Sequence, residues 1–242
     1  MSTSSNKKIN TFHLLNKQSF MLKEKRNAGF RAAEYVEDGM VVGLGTGSTA
    51  KHAVEKIGER IRKEGLDIVA IPTSENTKLL AEDFKIPLTT LDEVKKIDIT
   101  IDGADEVDDE KNLIKGGGGA LLREKMVAFE SDYEIIIVDP SKMVEKLGVE
   151  FDLPVEIIPH WKSSTIRRIE MFGCTSNIRM HKNSIFKTDN HNYIVDCSFD
   201  GIDDPEGLSK QLNNIPGVVE NGLFIDLADK IIIGKKEGFE EF

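Results

Sequence analysis

Met40-Val41-Val42-Gly43-Leu44-Gly45-Thr46-Gly47-Ser48-Thr49-Ala50 decides how this chain is read. Residues 40–44 have the pattern of a short strand buried on both faces. The run passes directly into a glycine loop. Beyond the loop, Ala50, Ala53, Val54, Ile57 and Ile61 recur at helical spacing. Strand, glycine turn and helix in that order open a βαβ unit. Ser48 or Thr49 is placed to cap the helix.

Working outward, Met21 to Val36 reads as a helix ended by Asp38-Gly39. Leu66 to Ile71 reads as a second strand, Thr73 to Phe84 as a helix, Ile86 to Thr89 as a third strand and Ile97 to Ile101 as a fourth. A helix from Ala120 to Phe129 and a buried strand from Glu134 to Val138 follow. This alternation predicts an α/β fold, a Rossmann-like and mostly parallel sheet with helices on both faces. After Val149 the texture changes. A strand at Leu153–Ile158, a helix at Ser163–Phe172, a hairpin joining Ile185–Lys187 to Tyr193–Cys197, and a helix at Pro205–Asn213 make a smaller α+β module of ferredoxin-like order. The expected organisation is an N-terminal extension over 1–20, an α/β catalytic domain over 21–149 and 219–242, and the small domain over 150–218.

Composition limits the function. The 242 residues carry 32 Lys and Arg against 42 Asp and Glu, a net charge of −10. That acidic balance argues against nucleic acid as a partner, and any anionic substrate needs local positive charge. Cys174 and Cys197 read as free thiols of a reducing compartment. No apolar run approaches the roughly 20 residues of a membrane span. The N-terminal residues lack the apolar core of a secretory signal and the arginines of a transit peptide. A cytoplasmic protein with no membrane partner is expected.

Three polar-glycine loops follow strand patterns and are expected to converge at the carboxyl edge of the sheet. Gly45-Thr46-Gly47-Ser48-Thr49 offers backbone amides and hydroxyls at a helix start, which suits a phosphate. It lacks the lysine of a Walker loop and the third glycine of a dinucleotide fingerprint. The alternative is a glycine turn that only packs helix on strand. Asp102-Gly103-Ala104-Asp105-Glu106, with Asp108, supplies carboxylates for sugar hydroxyls, proton transfer or a metal. No histidine lies close in sequence, which disfavours a transition metal; Asp108, Asp109 and Glu110 fit a solvated turn. Lys115-Gly116-Gly117-Gly118-Gly119 presents amides beside a cation, and Glu124 lies about one turn into the next helix. Glu124 is a candidate general base, or else a surface acid in the charged string Arg123-Glu124-Lys125.

Together, in order and at this spacing, the three motifs resemble ribose-5-phosphate isomerase, type A. The similarity runs from about Lys25 to Gly234 and includes Leu153-Pro154-Val155-Glu156 and Ile215-Pro216-Gly217-Val218-Val219. The resemblance implies interconversion of D-ribose 5-phosphate and D-ribulose 5-phosphate in the pentose phosphate pathway, with a sugar phosphate as the partner and no cofactor or metal. It implies Glu124 as proton acceptor. It places the phosphate on Thr46, Gly47, Ser48, Thr49 and Lys142, with Lys25 as a second cation. Asp102, Gly103, Ala104 and Asp105 match positions around the sugar hydroxyls. Lys115, Gly116, Gly117 and Gly118 match the loop at the reacting end. Gly119 stands where the family often has Ala, a change expected to loosen the loop; the extension over 1–20 is not explained by the family. Two other classes stay open on the same architecture, a sugar-phosphate-binding regulator domain and a coenzyme A transferase-like enzyme. The expected assembly is a homodimer or homotetramer.

Overall fold

The computed structural model describes residues 20–242, so residues 1–19 of the expected extension lie outside the described residues. Helix α1 covers 20–33. It is followed by β1 (Val41–Leu44), α2 (Ala50–Glu64), β2 (Val69–Pro72), α3 (Glu75–Asp83), β3 (Ile99–Gly103), β4 (Glu106–Val107), β5 (Leu113–Ile114), α4 (Leu121–Phe129) and β6 (Glu134–Val138). A 3-10 turn, Pro140–Lys142, leads to β7 (Leu153–Ile157), α5 (Lys162–Glu170), β8 (Thr175–Ile178), β9 (Met180–His181), β10 (Ser184–Ile185), β11 (Tyr193–Ser198), α6 (Pro205–Asn213) and β12 (Val218–Asn221). The chain ends through β13 (Leu223–Phe224), β14 (Lys230–Gly234) and β15 (Phe239–Glu241).

The principal sheet runs β15-β14-β6-β3-β1-β2. All neighbours are parallel except β15, which pairs antiparallel at the edge. From β1 the chain steps to β2 on one side and then to β3 on the other, so the strand order reverses between β1 and β3. Ligands of open α/β sheets bind at such a switch point, beyond the carboxyl ends of the strands.

Alternation along the strands assigns the faces. Ile99, Ile101, Ile135 and Ile137 pack with Ala28 and Ala32 of α1 and with Ala53, Val54 and Ile57 of α2. Ile136, Val138, Ile231 and Ile233 pack on the other side, with Ala128 of α4 and with Val107, Leu113 and Phe224 of the short strands. Thr100 and Asp102 alternate with Ile99 and Ile101, so they fall on the α4 side.

The second sheet runs β12-β7-β11-β8 with every pair antiparallel. In chain order that is the ferredoxin-like arrangement. Strand β12 carries this sheet to Asn221, past the expected boundary at 218. Cys174 and Cys197 are buried free thiols in its core. No helix among the described residues is long and apolar enough to cross a membrane.

Three local expectations need correction. Ile86–Thr89 is not a strand; only Leu88 bridges to Ala70, and Pro87, lacking an N–H, cannot extend the ladder. The hairpin between Ile185–Lys187 and Tyr193–Cys197 does not form. Strand β10 pairs with β9, and β11 lies between β7 and β8. Both ladder edges of β11 are thus occupied, and the Phe186 N–H donates instead to the Arg179 carbonyl. Finally, Thr49 occupies the N-cap of α2 but makes no side-chain cap bond.

Candidate active site

The loop after β1 is shaped by its neighbours. The Thr46 N–H donates to Asp102 Oδ1 at 2.9 Å. Gly45 is needed there because a Cβ would collide with the Asp102 carboxyl. The Thr46 hydroxyl sits among those of Thr73 (2.7 Å), Ser74 (2.8 Å) and Thr77 (3.1 Å). Both polar groups of Thr46 thus serve the loop. The donors left open are next in sequence: the N–H groups of Gly47, Ser48 and Thr49 find no partner among the described residues. They stand at the positive end of α2, and Lys25 Nζ donates to Ser48 Oγ at 2.9 Å. Open amides, hydroxyls and an ammonium at a helix start make an anion cradle.

Beside it lies a buried charged cluster. Asp102, Lys115 and Glu124 are 1%, 2% and 5% exposed. Lys115 Nζ lies 3.0 Å from Asp102 Oδ2 and 3.6 Å from Glu124 Oε1, and it also donates to the Gly103 carbonyl. Asp102 is the penultimate residue of β3, Lys115 follows β5, and Glu124 comes from the first turn of α4. Glu124 is therefore not a member of a solvated charge string: Arg123 and Lys125 face away, to Glu75 and Glu220.

Burial pushes the Glu124 carboxyl up to about 8; the Lys115 ammonium opposes this, and the charges of Asp102 and Asp105 add to it. Burial disfavours charge on Lys115, but Asp102 and Glu124 outweigh it and hold the ammonium protonated above the ordinary range. Burial also raises Asp102, against Lys115 and the amides of Gly103 and Thr46. Glu124 Oε2 has no hydrogen-bond partner among the described residues. A carboxyl oxygen that is buried, unpartnered and beside a cation is equipped to exchange a proton with something placed against it.

The glycine loop closes the third side. Asp105 Oδ2 accepts the Gly117 N–H at 2.7 Å, linking the second and third loops. Gly119 has φ +79°, and a Cβ on it would lie 2.5 Å from the Phe186 ring. Glycine is thus a requirement of this backbone and of Phe186, which corrects the expectation that it loosens the loop. Gly103 and Ala104 are half-buried between Asp102 and Asp105.

The remaining acids separate by environment. Glu106 is buried and structural, accepting the N–H groups of Gly148, Glu150 and Phe151 at 2.6, 2.9 and 2.7 Å. Asp108 caps its own turn through Glu110 and Asn112. Lys142 lies beyond the carboxyl end of β6, on the same sheet edge as the loops, with Nζ 5.8 Å from the Phe151 ring centre. It makes no described contact with Thr46–Thr49. Among the described residues no group of three or more His, Cys, Asp or Glu is arranged to hold a metal.

Sequence reasoning missed four participants. Thr73 and Thr77 clamp Thr46; their place after β2 was the available signal. Glu134, in β6, is buried with Oε2 unpartnered, and burial pushes it well above the carboxylate range, with the Asp102 charge adding. Arg179, from between β8 and β9, donates to the carbonyls of Gly116 and Gly117. Nothing local marks it.

Known proteins share this sequence and fold. The family model of ribose 5-phosphate isomerase A (phosphoriboisomerase A) matches residues 69–238. Ribose-5-phosphate isomerase A of Parvibaculum lavamentivorans is 52% identical over 222 residues, covering 89% of this chain and 95% of that protein. Ribose 5-phosphate isomerase A of Methanocaldococcus jannaschii superposes with a TM-score of 0.86 at 44% identity, covering 90% of this chain and 97% of that one. A D-ribose-5-phosphate isomerase in complex with phospho-erythronic acid gives 0.88 at 42% identity, covering 90% and 96%.

The chain is an enzyme of the aldose–ketose isomerase class built on an α/β sheet. Within that class it belongs to the ribose-5-phosphate isomerase A family. Membership sets aside the regulator-domain and coenzyme A transferase readings.

Proposed function

We propose that the chain interconverts D-ribose 5-phosphate and D-ribulose 5-phosphate through an enediolate, with Glu124 carrying the proton. The observation that carries this reading is the unpartnered Glu124 Oε2, buried beside Lys115. In its ionised form Glu124 takes the proton from C2 of the open-chain aldose and returns it to C1, while the hydroxyl proton passes from O2 to O1. Its raised pKa makes it a stronger base than an ordinary carboxylate. The enediolate oxygens carry negative charge, which the Lys115 ammonium and the amides of Gly116 and Gly118 would meet, the Gly117 N–H being held by Asp105. Asp102 is the acid proposed to assist furanose opening, with Asp105 beside the sugar hydroxyls. The phosphate sits on Gly47–Thr49 with Lys25, and Lys142, beyond the end of β6, is the further cation proposed for it.

The same reading makes the enzyme a cytoplasmic member of the non-oxidative pentose phosphate pathway, working as a homodimer or homotetramer and without a cofactor. The direct test incubates pure protein with ribose 5-phosphate alone and follows ribulose 5-phosphate. Turnover that disappears in excess EDTA and returns with a divalent ion would overturn the cofactor-free part. No turnover at all would overturn the substrate.

A further inference from the structure

The glycine loop is held from outside. Arg179 Nη1 donates to Gly116 O at 2.8 Å and to Gly117 O at 3.1 Å. The opposite edge of the guanidinium is held by Asp196 of β11, with Nε 2.9 Å from Oδ2 and Nη2 paired to Oδ1. The arginine backbone is also pinned. Its N–H donates to Ile194 O at 2.8 Å and its carbonyl accepts from Phe186 N–H at 2.9 Å. Phe186 in turn lies against Gly119. The second sheet therefore sets the position of a planar cation on two consecutive peptides of the loop.

Those two peptides have different duties. The Gly116 carbonyl shares its peptide with the Gly117 N–H, which is engaged by Asp105. The Gly117 carbonyl shares its peptide with the Gly118 N–H, which has no partner among the described residues. Gly118 is exposed, and the methyl of Thr46 lies 3.6 Å from the place of a Cβ on it. A cation on a peptide oxygen polarises the unit and strengthens its N–H as a donor. A donor fixed in advance on the oxygen that becomes negative contributes most in the transition state.

We infer that Arg179 is a positioning residue for the isomerisation, orienting and polarising the Gly117–Gly118 peptide so that its N–H receives the enediolate oxygen. The inference rests on the proposed chemistry at Glu124. Asp196 fixes the guanidinium, and a lysine at 179 cannot span two carbonyls while keeping the carboxylate.

The experiment compares Arg179→Lys, Arg179→Met and Asp196→Asn with the parent enzyme, after melting curves establish that each is folded. Expected is a loss of about 10²-fold in kcat for both Arg179 variants, the size associated with one oxyanion donor, with KM for ribose 5-phosphate nearly unchanged. Asp196→Asn should lose less, in the same direction. Affinity for phospho-erythronic acid, which ends in a carboxylate, should fall with kcat, whereas affinity for ribitol 5-phosphate, which ends in a neutral hydroxyl, should hold. Millimolar guanidinium should restore part of the Arg179→Met rate. Unchanged kcat in the folded variants overturns the inference, as does equal weakening of both inhibitors. If Arg179→Met does not fold, Asp196→Asn decides by the same inhibitor comparison. Glu124→Gln run alongside separates the two ideas: if it stays active while the Arg179 variants fail, the assignment of the base falls and the anchoring of the amide stands.

Discussion

Lys115 Nζ stands 3.6 Å from Glu124 Oε1, and Oε2 of the same carboxyl has no partner among the described residues. The ammonium stabilises the ionised base, while burial works against it. That balance sets the pH at which the proposed base is ready.

The pH dependence follows directly. Glu124 must be ionised to accept a proton, so kcat/KM should rise with pH, reach half its plateau near 8 and then level off. An ordinary exposed Glu would place that limb near about 4.3. Lys115→Met removes the group that lowers the pKa, so it should move the limb to higher pH and lower the plateau. A rate profile flat from pH 5 to 9 would count against Glu124.

Glu124→Gln keeps the shape but cannot take the proton. A loss of about 10²–10⁴ in kcat is expected, with KM changed a few-fold at most. Its stability should move the other way. The folded pKa lies above the unfolded one, so the acid's contribution is fully present below the unfolded pKa and is lost as pH rises through about 8. Melting curves should therefore match the parent at pH 4 and exceed it at pH 9.

Lys142→Ala and Lys25→Ala test the anion cradle. The phosphate keeps its charge throughout the reaction, so its contacts bind substrate and transition state alike. KM should rise with kcat nearly constant. A Lys142→Ala enzyme with the parent KM would remove that residue from the site.

Glu106→Ala should separate a structural acid from the proposed catalytic ones. It leaves three buried N–H groups, those of Gly148, Glu150 and Phe151, without an acceptor. Urea denaturation should show a loss of about 3 kcal/mol or more, while the folded enzyme keeps kcat within a few-fold.

Gly119→Ala should destabilise by about 1–2 kcal/mol from the left-handed backbone alone, with further loss from contact with Phe186. Phe186→Leu in the same chain should recover the second part only. A melting temperature equal to the parent's would show that the loop can rearrange freely.

Local pattern carried much of this protein. The strand at 41–44, its glycine loop and α2 were legible because one buried strand and one amphipathic helix each impose a period on consecutive residues. The same holds for Asp102 near the end of β3 and for Glu124 in the first turn of α4; their motifs marked candidates for a site. What periodicity cannot report is the partner. Ile194, Val195 and Cys197 announce a buried strand, yet only the tertiary structure places it between β7 and β8 rather than in a hairpin. The polar groups were harder still. Glu106 and Glu124 look alike in the sequence; one meets three amides and the other keeps a bare oxygen, because environment depends on chain segments far apart. Arg179 reaches the carbonyls of Gly116 and Gly117 across more than 60 positions. Which residues share a burial pattern is set within a few positions of sequence, whereas charge, pKa and hydrogen-bond partner are set by whatever the fold brings within a few ångströms.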